Sequence, residues 1–189
     1  MSTATATTTS APTLTTWKID PAHSHAEFAI RHLMISTVKG RFGSINGTVV
    51  SDESDLTRSK VEVTIDVNSI DTHEPQRDAH LKSPDFFDAE HYATIELRST
   101  RITDVSSDKS EFKLIGDLTI HGVTREVALQ VTSEGRGKDP WGGERAGFSA
   151  HTKIKRSDFG LKWNQALETG GFVVGDDVKI TVDVELVKQ

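Results

Sequence analysis

Apolar and polar residues alternate along most of this chain from Trp17 onward, and this alternation constrains the fold more than any other feature. Between positions 178 and 186, every even position is valine, isoleucine or leucine, and every odd position is charged or threonine. Successive side chains of a strand point to opposite faces, so the pattern predicts β-strands with one apolar and one solvated face. The sequence therefore favours an all-β domain.

The alternation recurs in about eight segments, most of which are separated by turns rich in glycine or serine. The predicted strands are roughly 25–34, 39–50, 60–68, 93–103, 110–120, 122–133, 144–156 and 176–187. Several of these strands reach ten residues, whereas about five or six is usual. Long antiparallel strands with one apolar face are typical of a barrel or a sandwich.

Two long connections interrupt the strand pattern. The first contains a short helix predicted at 74–83, because Pro75 suits the first helical position and Pro84 does not continue a helix. An aromatic pair follows at 86–87, and we expect this connection to cap one end of a barrel. The second connection, 156–175, combines glycines with three aromatic residues. Loops of this length are often functional, so we expect a lid or a mouth here.

Composition excludes several classes of function. The length of 189 residues favours one domain. The formal net charge of −6 argues against a nucleic-acid partner. The chain contains no cysteine, so disulfides, thiolate nucleophiles and zinc–cysteine sites are excluded.

The N-terminal segment 1–15 is rich in serine, threonine and alanine, which is the composition of a disordered tail, and we assign 16–189 to the folded domain. The segment lacks the basic and apolar regions of a secretory signal. No stretch approaches the ~20 apolar residues of a membrane span. We therefore expect a soluble, cytoplasmic protein.

Eight short motifs occur in a fixed order along the chain. They are Trp17-Lys18-Ile19-Asp20 with His23-Ser24, Phe28-x3-His32, Val38-x-Gly40-x-Phe42, Ser69-Ile70-x-Thr72, Arg77-Asp78-x-His80-Leu81-x-Ser83, Asp85-Phe86-Phe87-Asp88, Gly116-x-Leu118-Thr119-Ile120-x-Gly122-Val123-Thr124 and Arg156-x-Asp158-Phe159-Gly160. In these motifs the chain resembles the YceI family of lipocalin-like isoprenoid-binding proteins, over about residues 17–187.

The resemblance implies an eight-stranded antiparallel lipocalin-like barrel that holds a long-chain polyisoprenoid or a related lipid in its lumen. It implies a binding protein and no enzyme activity, with the lipid as ligand and no further cofactor. Many members of the family are periplasmic, whereas this chain shows no export signal. The oligomeric state is left open, with a homodimer as one option.

The interior of an eight-stranded barrel is either filled by side chains or holds one small ligand. Protein interiors normally pack densely, so an arbitrary domain of this kind would have a solid core. With a solid core, the protein would instead bind a partner through its surface. The resemblance favours a cavity for an isoprenoid quinone or a polyprenyl phosphate. The candidate ligand-contacting residues are Phe28, Ile30, His32, Phe42, Phe86, Phe112, Leu114, Phe148 and Trp163.

The helix carries Arg77 and His80, which we interpret in two ways. They are candidate head-group contacts, because a cationic rim would suit a pyrophosphate or a quinone. Alternatively, Arg77 and Asp78 tie the helix to neighbouring strands, since short buried helices usually need such ties. The second interpretation is favoured.

The histidines raise the alternative of a metal- or haem-linked enzyme. His23 and His25 have one parity and His32 has the other, so a straight strand does not bring all three to one ion. No His-Glu-x-x-His motif is present. We therefore predict no metal site, with His23 as a turn residue and His32 as either a structural histidine of the lumen or a polar contact to the ligand.

Overall fold

The computed structural model describes residues 12–168 and 170–189 of the chain. The strands are β1 (Leu14–Ile19), β2 (His25–His32), β3 (Ser36–Phe42), β4 (Ile45–Asp52), β5 (Lys60–Asp66), β6 (Ile70–Asp71), β7 (Thr94–Thr103), β8 (Glu111–Ile120), β9 (Val123–Lys138), β10 (Glu144–Lys155) and β11 (Val174–Lys188). The α-helix, α1, is Pro75–Lys82, and short 3-10 turns occur at Leu56–Arg58, Val67–Ser69 and Arg156–Phe159.

These strands form one closed antiparallel barrel with eight strand positions, here called staves. The eleven strands fill eight staves because three staves are each built from two consecutive strands. β1 and β2 lie end to end along β11, where β1 pairs with 186–188 and β2 with 174–183. β3 pairs with β2 and β4 with β1, so these two form the next stave. β5 and β6 form the third, and β7 to β11 are continuous. The pairing of β1 with β11 closes the ring, as the predicted fold class requires.

The strand predictions were wrong in three details. The predicted strand 39–50 is two strands, because the chain breaks at Gly43 and Ser44 and changes its pairing partner. β1 and the two-residue β6 were not predicted; in β1, only two of six residues are buried, so the alternation there is too short to identify. β9 continues five residues beyond the predicted end at 133.

The first strand begins at Leu14, within the segment assigned to the tail. Residues 1–11 of that predicted tail lie outside the described part of the chain. Within residues 12–168 and 170–189, no helix has the length and apolar character that crossing a lipid bilayer requires.

The predicted helix is confirmed and covers one end of the barrel, here called the upper end. Pro75 occupies the first turn, and the Glu74 carboxylate accepts hydrogen bonds from the backbone N–H groups of Gln76 and Arg77 at 3.2 and 2.6 Å. This cap satisfies backbone donors that a helix N-terminus otherwise leaves unpaired. The hairpin between β9 and β10 lies at the opposite, lower end. A buried apolar cluster packs under the helix: Phe42, Val67, Ile70, Ala89, Ile95, Leu118, Ile120, Phe159 and Leu161.

Candidate ligand cavity

The inward faces of the strands do not fill the barrel, and a cavity of about 440 Å³ remains inside it. Its wall follows the sequence alternation directly. In β11, the even positions Val178, Ile180, Val182, Val184 and Leu186 all border the cavity, whereas none of the odd positions between them does. Valine, isoleucine, leucine and phenylalanine make up most of the lining. The structure thus matches the expectation of an apolar lumen.

Three phenylalanines form an aromatic ladder under the helix. The Phe28 and Phe42 ring centroids are 5.7 Å apart, and those of Phe42 and Phe87 are 5.8 Å apart in an edge-to-face arrangement. All three rings border the cavity. Offset and edge-to-face contacts are the favourable geometries for such pairs, so this part of the wall is well packed.

All eleven residues singled out in the sequence lie around this one cavity. The candidate ligand contacts come from β2 (Phe28, Ile30, His32), β3 (Phe42), β8 (Phe112, Leu114), β10 (Phe148) and the two long connections (Phe86, Trp163), and the candidate head-group contacts Arg77 and His80 come from α1. Their contact with a ligand stays a prediction.

Arg77 and Asp78 tie the helix to the segment after β6. The Arg77 guanidinium donates through Nε to Thr72 Oγ1 and through an Nη to the Thr72 carbonyl, both at 2.8 Å. The Asp78 carboxylate accepts from the Thr72 N–H at 2.9 Å and from its hydroxyl at 2.5 Å. This is the structural tie favoured above. Arg77 nevertheless also borders the cavity, so the tie fixes a cationic group at its upper end.

His80 lies between two aromatic rings at the upper end. Its ring centroid is 5.1 Å from that of Phe86 and 4.8 Å from that of Trp163, both edge to face. Its Nε2 is 2.8 Å from Asp85 Oδ2, and its side chain is 40% exposed. His80 therefore borders the cavity and is also reached by solvent, and its cluster lies at the upper end of the barrel.

Arg156 is a cavity residue that the sequence reasoning did not single out. Its guanidinium is buried, with the residue 6% exposed, and donates to the carbonyls of Leu161 at 2.6 Å, Gly175 at 2.7 Å and Trp163 at 2.9 Å. Burial lowers the pKa of this guanidinium below its ordinary value. The side chain thereby joins the two ends of the 156–175 connection. The available signal was its position at the start of the Arg156-x-Asp158-Phe159-Gly160 motif.

The histidines of the first stave lie apart, as their parity predicted. His32 points into the cavity. His25 lies outside, 3.6 Å from both Glu27 and Asp183. His23 is in the turn before β2, where its Nδ1 is 3.0 Å from Asp20 Oδ2. These three imidazoles therefore do not surround a common point.

One group of potential metal ligands occurs in the described residues. Asp20, His23 and Glu185 each place one ligand atom within 4.8 Å of the others. The Arg145 guanidinium already lies among them, donating to Asp20 at 2.8 Å and also to Glu185. Asp139 accepts from the same guanidinium at 2.9 Å. Arginine thus supplies the positive charge at this cluster.

A closed antiparallel barrel around an apolar cavity, with a few polar groups at one end, defines the fold class as a lipocalin-like barrel. Comparison with known proteins narrows the class. The chain matches the YceI-like domain family over residues 17–186 and belongs to this family.

Relatives extend over most of the chain. The UPF0312 protein SAS2572 of Staphylococcus aureus is 40% identical over 173 residues, covering 91% of this chain and 97% of the relative. The UPF0312 protein VPA0850 of Vibrio parahaemolyticus is 40% identical over 140 residues, covering 74% and 73%.

Solved structures show the same fold. The YCEI protein of Campylobacter jejuni is 32% identical with a TM-score of 0.71, over 85% of this chain and 90% of that one. A polyisoprenoid binding domain from Saccharophagus degradans has a TM-score of 0.66 at 15% identity, over 92% and 98%. At that identity the likeness concerns the fold alone.

Proposed function

We propose that this protein binds a long-chain polyisoprenoid, such as an isoprenoid quinone or a polyprenyl phosphate, and sequesters or carries it without chemical change. The observation that supports the proposal most is the apolar cavity of about 440 Å³ enclosed by the barrel. The description of the Saccharophagus degradans neighbour as a polyisoprenoid binding domain agrees with it.

The energetics of such a ligand rest on its tail. Each buried methylene contributes ~0.8 kcal/mol, so a tail of about a dozen carbons gains roughly 10 kcal/mol before the costs of ordering and association. The cavity wall offers little hydrogen bonding along its length, which suits a hydrocarbon and penalises a polar ligand. Affinity therefore comes from tail burial, and polar groups at the opening determine which end points outward.

The head group is proposed to lie at the upper end, near Arg77 and His80. Two donors of the Arg77 guanidinium are used by Thr72, and within the described part of the chain Arg77 takes part in no ion pair. Its charge is therefore available to a phosphate or a quinone carbonyl at the cavity opening. His80 and the Trp163 ring beside it complete this rim.

The proposal is tested with purified protein from which bound lipid has been removed by solvent extraction. We expect added solanesol or an isoprenoid quinone to form a one-to-one complex in native mass spectrometry and to raise the melting temperature. No complex with either lipid, together with an unchanged melting temperature, would contradict the proposal.

A pair of variants separates the lumen from the outer surface. Ala150 borders the cavity and His151, the next residue of β10, is exposed on the outside. Ala150→Phe fills part of the lumen and should weaken lipid binding, whereas His151→Phe places the same ring outside and should leave it unchanged. Equal binding by the two variants would place the ligand elsewhere. Circular dichroism confirms that both variants fold.

A further inference from the structure

A second chamber of about 310 Å³ lies at the lower end of the barrel. Its lining differs from that of the main cavity, because polar residues join the apolar ones. Glu53, Lys109 and Arg136 all border it, and Arg136 pairs with Glu53 at 3.1 Å while its guanidinium lies 5.3 Å from the Trp17 ring centroid. The lower chamber is thus apolar on its inner side and polar at its rim.

The two chambers meet at a shared boundary, here called the partition. Five residues border both: Val49, Val61, Phe112, Phe148 and Leu186. The two phenylalanines are the largest of these, and their ring centroids are 6.4 Å apart at an interplanar angle of 68°. The two rings are therefore in edge-to-face contact at the boundary between the chambers.

The backbone fixes the two rings on opposite sides of β9. Phe112 in β8 pairs with Val131, and Phe148 in β10 pairs with Ser133. The register of β10 with β9 shifts between Gly147 and Phe148 because Glu134 of β9 has no partner residue there, which marks a β-bulge in β9. Phe148 faces inward because it shares the parity of Ala150 and Ile154 in β10, which also border the main cavity.

We infer that the Phe112–Phe148 pair is an internal stop that limits how long an isoprenoid tail the protein accepts. A tail that enters from the upper end runs along the main cavity and ends against the two rings. A longer tail has to leave its last units outside the cavity, where their burial is lost. The inference rests on the proposed function, since it specifies the tail length of the same ligand.

Removing one ring should join the chambers and extend the lumen. Phe148→Ala opens the partition, and additional tail then enters the apolar inner side of the lower chamber. Because each buried methylene is worth about fourfold in affinity, we expect the ratio of long-tail to short-tail affinity to rise roughly tenfold or more. Phe112→Ala should act in the same direction. Phe148→Leu keeps more of the packing and should give a smaller shift of the same sign.

The experiment measures competition among all-trans prenols from farnesol to solanesol for each purified protein by native mass spectrometry. Ile102 borders the lower chamber but not the main cavity, so Ile102→Ala enlarges that chamber without opening the partition and should leave the length preference unchanged. A shift for the phenylalanine variants alone supports the stop.

Two other results overturn the inference, in different ways. If the wild type binds prenols and all three phenylalanine variants, including Phe148→Leu, keep its length preference, the partition does not limit the tail, although the proposed function stands. If the wild type binds no prenol of any length, the stop fails, and the proposed function fails with it only if isoprenoid quinones do not bind either.

Discussion

Replacing Arg156 by methionine should release the 156–175 connection from the barrel. The guanidinium donates to three backbone carbonyls between 2.6 and 2.9 Å, and a fourth, that of Val174, lies at 3.5 Å. Methionine fills a similar volume but offers no donor. The carbonyls of Leu161 and Trp163 would then lose this partner near the upper end of the cavity.

The expected loss of stability follows from these contacts. A hydrogen bond to a charged group contributes ~1.5–3 kcal/mol, and a buried carbonyl left without a partner costs about 1–3 kcal/mol. The desolvation of the guanidinium, which lowers its pKa, is relieved at the same time and offsets part of the loss. The surface position of the connection also lets water reach some of the freed carbonyls. We therefore expect a net loss of about 2–4 kcal/mol in the free energy of unfolding.

Urea unfolding measures the stability change, and hydrogen exchange measures its location. We expect faster exchange in the 156–175 connection than in the strands of the barrel, because local unfolding of this segment should precede global unfolding. Lys155→Met is the matched control, since Lys155 is the adjacent residue and is exposed. A loss below about 0.5 kcal/mol for Arg156→Met, the size of an ordinary surface change, would show that the guanidinium does not hold the connection to the barrel.

Two further predictions concern stability. At Gly47, an added Cβ would lie 2.4 Å from the Glu62 carbonyl oxygen, whereas at Gly43 nothing lies within 4 Å. In thermal unfolding, Gly47→Ala should therefore lose about 1–3 kcal/mol and Gly43→Ala less than about 0.5 kcal/mol; similar losses would contradict the steric argument. The hydrogen bond with His23, followed by that from Arg145, lowers the pKa of the Asp20 carboxyl from 3.8 to about 2. The stability that this group contributes is present above about pH 4 and is lost as the pH falls toward 2. In urea unfolding, the free energy of unfolding of Arg145→Gln should therefore fall less steeply over this range, the acid limb of the stability curve. An unchanged limb would exclude this contribution.

Most of the fold and of the candidate site could be predicted from the alternation of apolar and polar residues, that is, from residue parity. The alternation in β11 and in β8 identified which side chains face inward, and those same side chains line the cavity. Parity succeeds because it is a local property of an extended chain. The helix could also be predicted from the local sequence, because Pro75 and Pro84 mark its bounds.

What parity missed depends on contacts between distant segments. The break at Gly43 and Ser44 arises because one strand pairs with β2 and the next with β1 and β5. The Arg156 clamp requires carbonyls that the folded connection brings together. The partition likewise requires Phe112 and Phe148, 36 positions apart, to meet over β9 from the two strands that flank it. No window of sequence contains these relations.

We propose that the inward faces of the strands leave a space which a long apolar ligand occupies. The most direct measurement is a crystal structure of the protein grown with an isoprenoid quinone. We expect continuous elongated density inside the barrel, with the head group near Arg77 and the tail ending at Phe148. Side chains that meet across the barrel and leave no tunnel, or a quinone bound on the outer surface, would contradict it.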